Sequence, residues 1–90
     1  MSDLQQRFEQ LVVDVRKAEG NFQPSNDLKL KIYGWFKQAT EGDVNGKRPS
    51  RLNLVGRAKW DSWNALQGMS QEEAKRCYVE TVGDLFKRFS

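Results

Sequence analysis

Apolar residues recur every three or four positions in four stretches of this chain, with polar residues between them. This period places the apolar side chains of each stretch on one face of an α-helix. No strand-like alternation interrupts the pattern, so the sequence predicts an all-α fold of four helices. In chain order, the apolar positions are Leu4, Phe8, Leu11, Val12 and Val15; Leu28, Ile32, Phe36 and Ala39; Ala58, Trp60, Trp63 and Leu66; and Ala74, Cys77, Tyr78, Thr81, Val82, Leu85 and Phe89.

Residues that start and stop helices separate the first two stretches. Gly20 is expected to end helix one, because glycine adopts the left-handed conformation that closes many helices. Pro24 and Ser25 form a turn and an N-cap that open helix two, and Gly42 ends it.

Similar signals bound the last two stretches. Helix three is predicted from about residue 55 to residue 67, with Gly68 as its stop. Ser70 and Glu73 match the capping box, in which each side chain binds the other residue's free backbone N–H. Helix four is therefore expected to start there.

The long loop between helices two and three limits how these helices are arranged. Residues 43–53 contain Asn45-Gly46 and Pro49, which break regular structure. About 11 to 13 extended residues span some 40 Å, whereas a 16-residue helix is only about 24 Å long. The loop is long enough to return along the bundle, so helices two and three can run parallel.

Composition narrows the class of protein. Ninety residues suffice for a single domain, predicted over 1–90, with a modest core. The chain has no His and one Cys, so an internal disulfide cannot form, and the commonest metal ligand and general base are missing. Neither a basic, then apolar leader nor a membrane-length apolar run is present. We expect a cytoplasmic monomer without cofactor, metal or stable membrane insertion.

Positive charge is concentrated in one segment. Between Val44 and Trp60 lie five basic residues and no acidic ones, although the whole chain carries only +3. An anionic partner is expected there. A solvated loop that happens to be basic is the alternative.

Cations and aromatic rings alternate at helical spacing beside that segment. Tyr33 and Lys37 are one turn apart on helix two, and Lys59 and Trp63 repeat the spacing on helix three. Rings that stack on a base and ammonium groups that neutralise phosphates suit a nucleotide. The alternative is that Phe36 and Trp63 belong to the core while the lysines extend to solvent.

The same residues resemble the acyl-CoA-binding protein signature. The block at 33–40 (Tyr-Gly-Trp-Phe-Lys-Gln-Ala-Thr) precedes Gly42-Asp43, Pro49 and the Lys-Trp-Asp-Ser-Trp block at 59–63. The similarity extends over nearly the whole chain. It implies an up-down-down-up bundle that carries medium- to long-chain acyl-CoA, with the acyl chain in an apolar bowl and the CoA head over its mouth.

The resemblance also assigns residues. Tyr33, Lys37 and Lys59 match positions that hold the adenosine 3′-phosphate, Tyr78 matches another contact with the CoA head, and Arg16 stands where the family often has Lys. Phe36 replaces a common Tyr, which keeps stacking on adenine but loses a hydroxyl. The residues that fall near the acyl groove are Phe8, Leu11, Val12 and Leu30, and Leu11 stands where small residues are frequent.

Three other functions are weighed against this one. A thioesterase would need Cys77 as nucleophile without a His to activate it, and a small buried apolar residue is the plainer role for Cys77. A helical nucleic-acid binder would suit the basic charge, but +3 is low for that class. An exposed Trp35 is the one specific hint of a protein-interaction module.

Overall fold

Four α-helices and no strand form within residues 3–18 and 24–89, which a computed structural model describes, apart from the side chain of Phe89. They are α1 (Asp3–Lys17), α2 (Asn26–Glu41), α3 (Leu54–Asn64) and α4 (Gln71–Phe89). The predicted all-α, four-helix fold with a long loop between α2 and α3 is confirmed. The predicted end of helix one at Gly20 lies outside the described residues.

The helices pack side by side in the order α1, α4, α2, α3. Residue contacts give their directions: Phe8 of α1 meets Tyr78 of α4, and Leu11 lies beside Gly83, so these two helices are parallel. Contacts between residues 33 and 59, 34 and 62, and 37 and 63 likewise make α2 and α3 parallel. Gln38, late in α2, binds Met69 just before α4, so this central pair is antiparallel. The arrangement is up-down-down-up.

The ends of α2 agree with the sequence. Ser25 Oγ accepts a hydrogen bond from Leu28 N (3.2 Å), as an N-cap does. At the other end Gly42 adopts φ +80° while its N–H still bonds to Gln38 O (3.1 Å). Because residues that carry a side chain rarely adopt this backbone conformation, glycine is suited to closing the helix here.

Helix three ends earlier than predicted, at Asn64. Ala65 N still bonds to Asp61 O (3.0 Å), but the following amides bond three residues back, Leu66 N to Trp63 O and Gln67 N to Asn64 O, which tightens the chain into a turn. Gly68, at φ +92°, then donates its N–H to Asp43 Oδ1 (2.8 Å). This contact with the α2–α3 loop holds the turn that residues 65–68 form instead of a last helical turn.

The capping box that opens α4 is half formed. Glu73 N donates to Ser70 Oγ (3.0 Å), as predicted. The Glu73 carboxylate, however, pairs with Arg76 (3.0 Å) rather than with the Ser70 backbone. An oppositely charged side chain one turn ahead is the stronger partner for this carboxylate.

The core lies where α1, α2 and α4 meet. Its most buried side chains belong to α4, with Ala74 and Val82 at 0% exposure. Gln38 is also fully buried, and its Nε2 donates to Asp43 Oδ1 (2.8 Å) and Met69 O (2.7 Å). These bonds tie the end of α2 to the loop behind it and to the start of α4.

A glycine sets the distance between α2 and α3. A Cβ at Gly34 would lie 2.9 Å from Ser62 O and 3.3 Å from Leu66 Cδ1. The two helix backbones thus touch at this point, which brings the side chains on either side of Gly34 within reach of α3.

Candidate functional site

Two lysine–ring pairs bridge α2 and α3 on either side of this close approach. Lys59 Nζ of α3 lies 5.3 Å from the Tyr33 ring centroid of α2. Lys37 Nζ of α2 lies 4.9 Å from the Trp63 ring of α3. Both distances are those of cation–π contacts. We call these four residues the α2–α3 cluster.

The pairing differs from the one expected from spacing within each helix. Each helix contributes one ring and one cation, and each cation faces the ring of the other helix. The parallel helices advance together, so successive pairs are about 6 Å apart along the bundle. This places two ammonium groups and a half-buried phenol on one surface.

Lys37 also has an acidic partner. Its ammonium pairs with the Glu41 carboxylate one helical turn away. The lysine side chain is 23% exposed and the glutamate 45%, so the pair borders solvent. An incoming phosphate would compete with Glu41 for the ammonium group. Glu41 was not among the predicted site residues, although its position four residues after Lys37 indicates an ion pair on the same helix face.

Two of the three tryptophans on the facing helices, Trp63 and Trp35, have structural roles. Trp63 is buried, at 6% exposure, and its Nε1 donates to Gly42 O (2.7 Å), so it anchors the start of the long loop. Its role in the core, one of the two alternatives, is confirmed. Trp35 is half-buried and packs against the core. The expectation of an exposed Trp35 was wrong, because this face of α2 turns toward the core.

One cation of the basic segment is neutralised. Arg48 donates from Nε to Asp61 Oδ1 (2.9 Å) and from a terminal nitrogen to Oδ2 (2.7 Å). This bidentate bond raises the pKa of Arg48 and lowers the pKa of Asp61. The sequence did not indicate this pairing, because the basic segment between Val44 and Trp60 contains no acidic residue and Asp61 lies just outside it. The bond fastens the long loop to α3.

A second acidic residue holds the other end of that loop. Asp43 accepts hydrogen bonds from Gly68 N (2.8 Å) and Gln38 Nε2 (2.8 Å), and both bonds lower the pKa of its carboxyl group. The carboxylate is therefore maintained well into acidic conditions.

Rings from three helices connect this surface with the core. Phe8 of α1 is stacked with Phe36 of α2 at 6.4 Å and meets Tyr78 of α4 edge-on at 5.0 Å. Tyr78 is only 3% exposed. Burial raises the pKa of its phenol to about 12, although the charge of Arg16 opposes this shift. Tyr78 therefore remains a neutral hydroxyl at physiological pH, with the Arg16 charge near it.

A valley separates α1 from α2. No Cα atom of α1 lies within 8 Å of one in α2, and both helices pack on α4. The Phe8 and Phe36 rings meet across the gap. Half-buried Val12 lies one turn after Phe8 on α1, and half-buried Leu30 lies one turn before Tyr33 on α2.

Leu11 lies apart from these residues. It lines a groove of about 440 Å³ between α1 and α4, together with Gly83 and Phe86 and the polar side chains of Asp14 and Lys17. Phe8, Val12 and Leu30 do not line it. The structure therefore separates Leu11 from the other three predicted groove residues.

The site offers little for catalysis. Cys77 is half-buried, and burial, with Glu73 and Glu80 nearby, raises the pKa of its thiol. The thiol form is the poorer nucleophile. In the described ranges, no three carboxylate or thiol side chains converge as a metal site would require. No described helix combines the length and apolar character needed to cross a membrane.

Comparison with known proteins identifies the family and the fold. Residues 5–82 match the family model described as "Acyl CoA binding protein". The chain belongs to this family. The match includes both lysine–ring pairs and the whole of the loop between them.

Individual relatives agree. Acyl-CoA-binding protein homolog 3 of Caenorhabditis elegans is 43% identical over 89 residues, which are 97% of this chain and 77% of that protein. Acyl-CoA-binding domain-containing protein 5 of Gallus gallus is 47% identical over 78 residues, 84% of this chain. The chain spans only 16% of that longer protein.

Solved structures share the arrangement of the helices. The acyl-CoA-binding protein 2 of Oryza sativa superposes with a TM-score of 0.85 at 39% identity, over 94% of this chain and 90% of the other. The corresponding protein of Moniliophthora perniciosa gives 0.88 at 38% identity, over 100% and 85%.

Proposed function

We propose that this chain is an acyl-CoA carrier that holds the CoA head at the α2–α3 cluster and the acyl chain in the valley between α1 and α2. Family membership supports acyl-CoA as the ligand. The observation that carries the assignment of the site is the crossed pairing of Lys37 and Lys59 with the Trp63 and Tyr33 rings.

The 3′-phosphate of CoA is the group that suits the cluster. Two ammonium groups supply charge, and the Tyr33 hydroxyl supplies a hydrogen bond. Lys59 is exposed and Tyr33 half-exposed, so both are accessible without rearrangement. Lys37 must give up Glu41, which the doubly charged phosphate favours. Phe36, next to Lys37, offers an apolar ring for adenine but no hydroxyl.

The acyl chain suits the valley because its borders are apolar and its base is aromatic. Half-buried Val12 of α1 and Leu30 of α2 are the residues proposed to border it, and the Phe8 and Phe36 rings meet across it. Each methylene removed from water there contributes roughly 0.8 kcal/mol. Tyr78 and Arg16 are assigned to the place where the head meets the acyl chain. There the neutral phenol can donate a hydrogen bond to the polar part of the ligand. Leu11 belongs to the neighbouring groove and is not included in this binding site.

Carriage rather than turnover follows from the chemistry of the site. Hydrolysis of a thioester needs an activated nucleophile, and the protonated Cys77 thiol beside two glutamates is not one. We therefore propose a non-catalytic, monomeric cytoplasmic carrier that needs no cofactor and forms a pool of protected thioester. Nucleic acid is not expected to compete for the site, since Arg48 of the basic loop is already bound to Asp61.

Calorimetry with three ligands tests the proposal. Palmitoyl-CoA should bind far more tightly than palmitate, which lacks the head, and more tightly than CoA, which lacks the chain. Comparable affinity for palmitate and palmitoyl-CoA would refute the role of the head. Native mass spectrometry of protein purified from cells should show bound acyl-CoA, and steady release of free CoA during incubation would instead indicate a thioesterase.

A further inference from the structure

Three apolar side chains project into solvent where the long loop enters α3. Leu52 is 96% exposed, Leu54 75% and Val55 66%. None of them contributes to the core. Exposed aliphatic residues grouped in this way commonly mark an interaction surface. We call them the apolar tip.

The tip is held in place rather than frayed. Asn53 Oδ1 caps α3 by accepting from Gly56 N (2.9 Å), and Asn53 N bonds to Ser50 O (3.0 Å). Further back, Arg48 is fastened to Asp61, so residues 48–53 run alongside α3 toward its first turn. Side chains of a first helical turn lean toward the N-terminus, which directs Leu54 and Val55 beyond the end of the helix.

The topology collects positive charge at the same end of the bundle. Because α1 and α4 run opposite to α2 and α3, their C-terminal turns lie at the end where α2 and α3 begin. Those turns carry Arg16 and Lys17 on α1, and Lys87 and Arg88 on α4. Exposed Arg51 adjoins the tip itself.

The opposite end is the more acidic one. Asp3 lies in the first turn of α1, and Glu72 and Glu73 lie in the first turn of α4. Glu41 is the last residue of α2, and Asp43 follows its glycine cap at the same end of the bundle. Some acidic residues are also found at the basic end, including Asp27 in the first turn of α2 and Asp84, which is paired with Arg88 at 3.2 Å. The excess of cations nevertheless lies with the apolar tip.

We propose that the apolar tip and the basic end of the bundle that carries it form a reversible docking surface for anionic membranes. A bilayer interface accepts protruding aliphatic side chains without a complementary pocket, and its anionic headgroups attract cations. Because a bilayer is a broad surface, it can meet the apolar tip and the cations elsewhere on the same end at once, which favours a lipid surface as the occupant. Docking would bring the carrier to the place where long acyl chains partition, without inserting a helix.

Vesicle sedimentation without acyl-CoA tests this surface independently of ligand binding. The protein should associate with phosphatidylcholine vesicles that contain phosphatidylserine, and much less with phosphatidylcholine alone. Leu52→Gln combined with Leu54→Gln should reduce the association about tenfold, because two inserted leucines are lost. Arg51→Gln should reduce it about fivefold, and added salt should weaken it.

Two variants serve as matched controls. Val13→Gln removes an aliphatic side chain that is 41% exposed on α1, and Arg7→Gln removes an exposed cation from the acidic end. Both should leave vesicle association unchanged. Circular dichroism should show that every variant is folded, and calorimetry should show unchanged affinity for palmitoyl-CoA.

Three results would overturn the proposal. These are the absence of association with anionic vesicles, equal association with neutral ones, and equal losses in the control variants. A dimer in sedimentation velocity that disappears in the double leucine variant, with vesicle association unaltered, would assign the tip to a second copy of the chain.

Discussion

The two outer helix pairs of this bundle differ in how closely they pack. In α2–α3 the backbones touch at Gly34, where an added Cβ would meet Ser62 O at 2.9 Å. In α1–α4 the corresponding glycine is Gly83, where an added Cβ would meet only Leu11 Cδ1, at 4.0 Å. A groove of about 440 Å³ lies beside it. One glycine allows contact between helices, and the other leaves space.

The proposed binding mode uses two kinds of recognition. Phosphate recognition needs charges at fixed positions, and the close pair holds Lys37 and Lys59 over rings of the facing helix. Apolar chains need area rather than direction, and the separated helices α1 and α2 would supply it, whereas the α1–α4 groove would take no part. The comparison predicts that substitutions on α2–α3 alter affinity for every ligand with the head, whereas substitutions on the apolar side alter the dependence on chain length.

The largest expected effect on affinity is that of removing a cation from the proposed head site. Lys59→Ala should weaken binding of palmitoyl-CoA and of shorter acyl-CoA alike by about tenfold, since a charged hydrogen bond contributes about 1.5 kcal/mol even when partly screened. Lys31→Ala removes an exposed lysine from another face of α2 and is the control. If the loss disappeared with long chains, Lys59 would not be a head contact.

Gly34→Ala should have the next largest effect on affinity, together with a loss of stability. The new methyl group meets a backbone carbonyl that cannot move away alone, so the variant should lose about 1 to 3 kcal/mol of unfolding free energy. Urea denaturation measures this loss. Affinity for acyl-CoA should fall as well, because α3 is displaced. A more stable variant would show that the close approach is not required.

Gly83→Ala is its counterpart and should act in the opposite direction. Alanine is favoured over glycine within a helix by about 1 kcal/mol, and the space beside Leu11 accepts the methyl group. The midpoint of urea denaturation should rise while affinity for palmitoyl-CoA is unchanged. Weaker binding that grew with acyl length would place the chain in the α1–α4 groove rather than in the valley.

Glu41→Gln should give the smallest change. Losing the competing carboxylate frees Lys37, so affinity for acyl-CoA should rise about twofold, in line with about 0.5 kcal/mol for an exposed pair four residues apart. Calorimetry at low salt is the suitable measurement. Lower affinity would mean that Glu41 orients Lys37 for the ligand.

Local patterns predicted the helices because the apolar period, the N-caps and the glycine stops depend only on residues close together in the sequence. Ser25 and Gly42 act as expected for this reason. The early end of α3 was not predictable, since it depends on Asp43 reaching Gly68 across the fold. Likewise, Arg76 takes the Glu73 carboxylate that the capping box would have used.

The candidate site was foreseen in part. Helical spacing predicted that Tyr33 lies beside Lys37 and Lys59 beside Trp63. That each lysine faces the ring on the other helix depends on how the parallel helices α2 and α3 are aligned, which the spacing within one helix does not determine. The assignment of Tyr33, Lys37, Lys59, Tyr78, Arg16 and Phe36 to the CoA head stays a prediction. So does the valley, because apolar residues on α1 can border either of two depressions.

The order of packing has a consequence for motion. In the described ranges, the backbone of α3 lies close only to that of α2 and the backbone of α1 only to that of α4, while α1 meets α2 through the Phe8 and Phe36 rings. The central pair α2–α4 therefore keeps its own interface when either outer helix moves. Opening of one outer helix therefore exposes less apolar surface than global unfolding and needs less free energy. In the proposed binding mode, the head and the acyl chain lie against different outer helices. Amide hydrogen exchange in α1 and α3 should consequently slow on loading, each helix responding to its own part of the ligand.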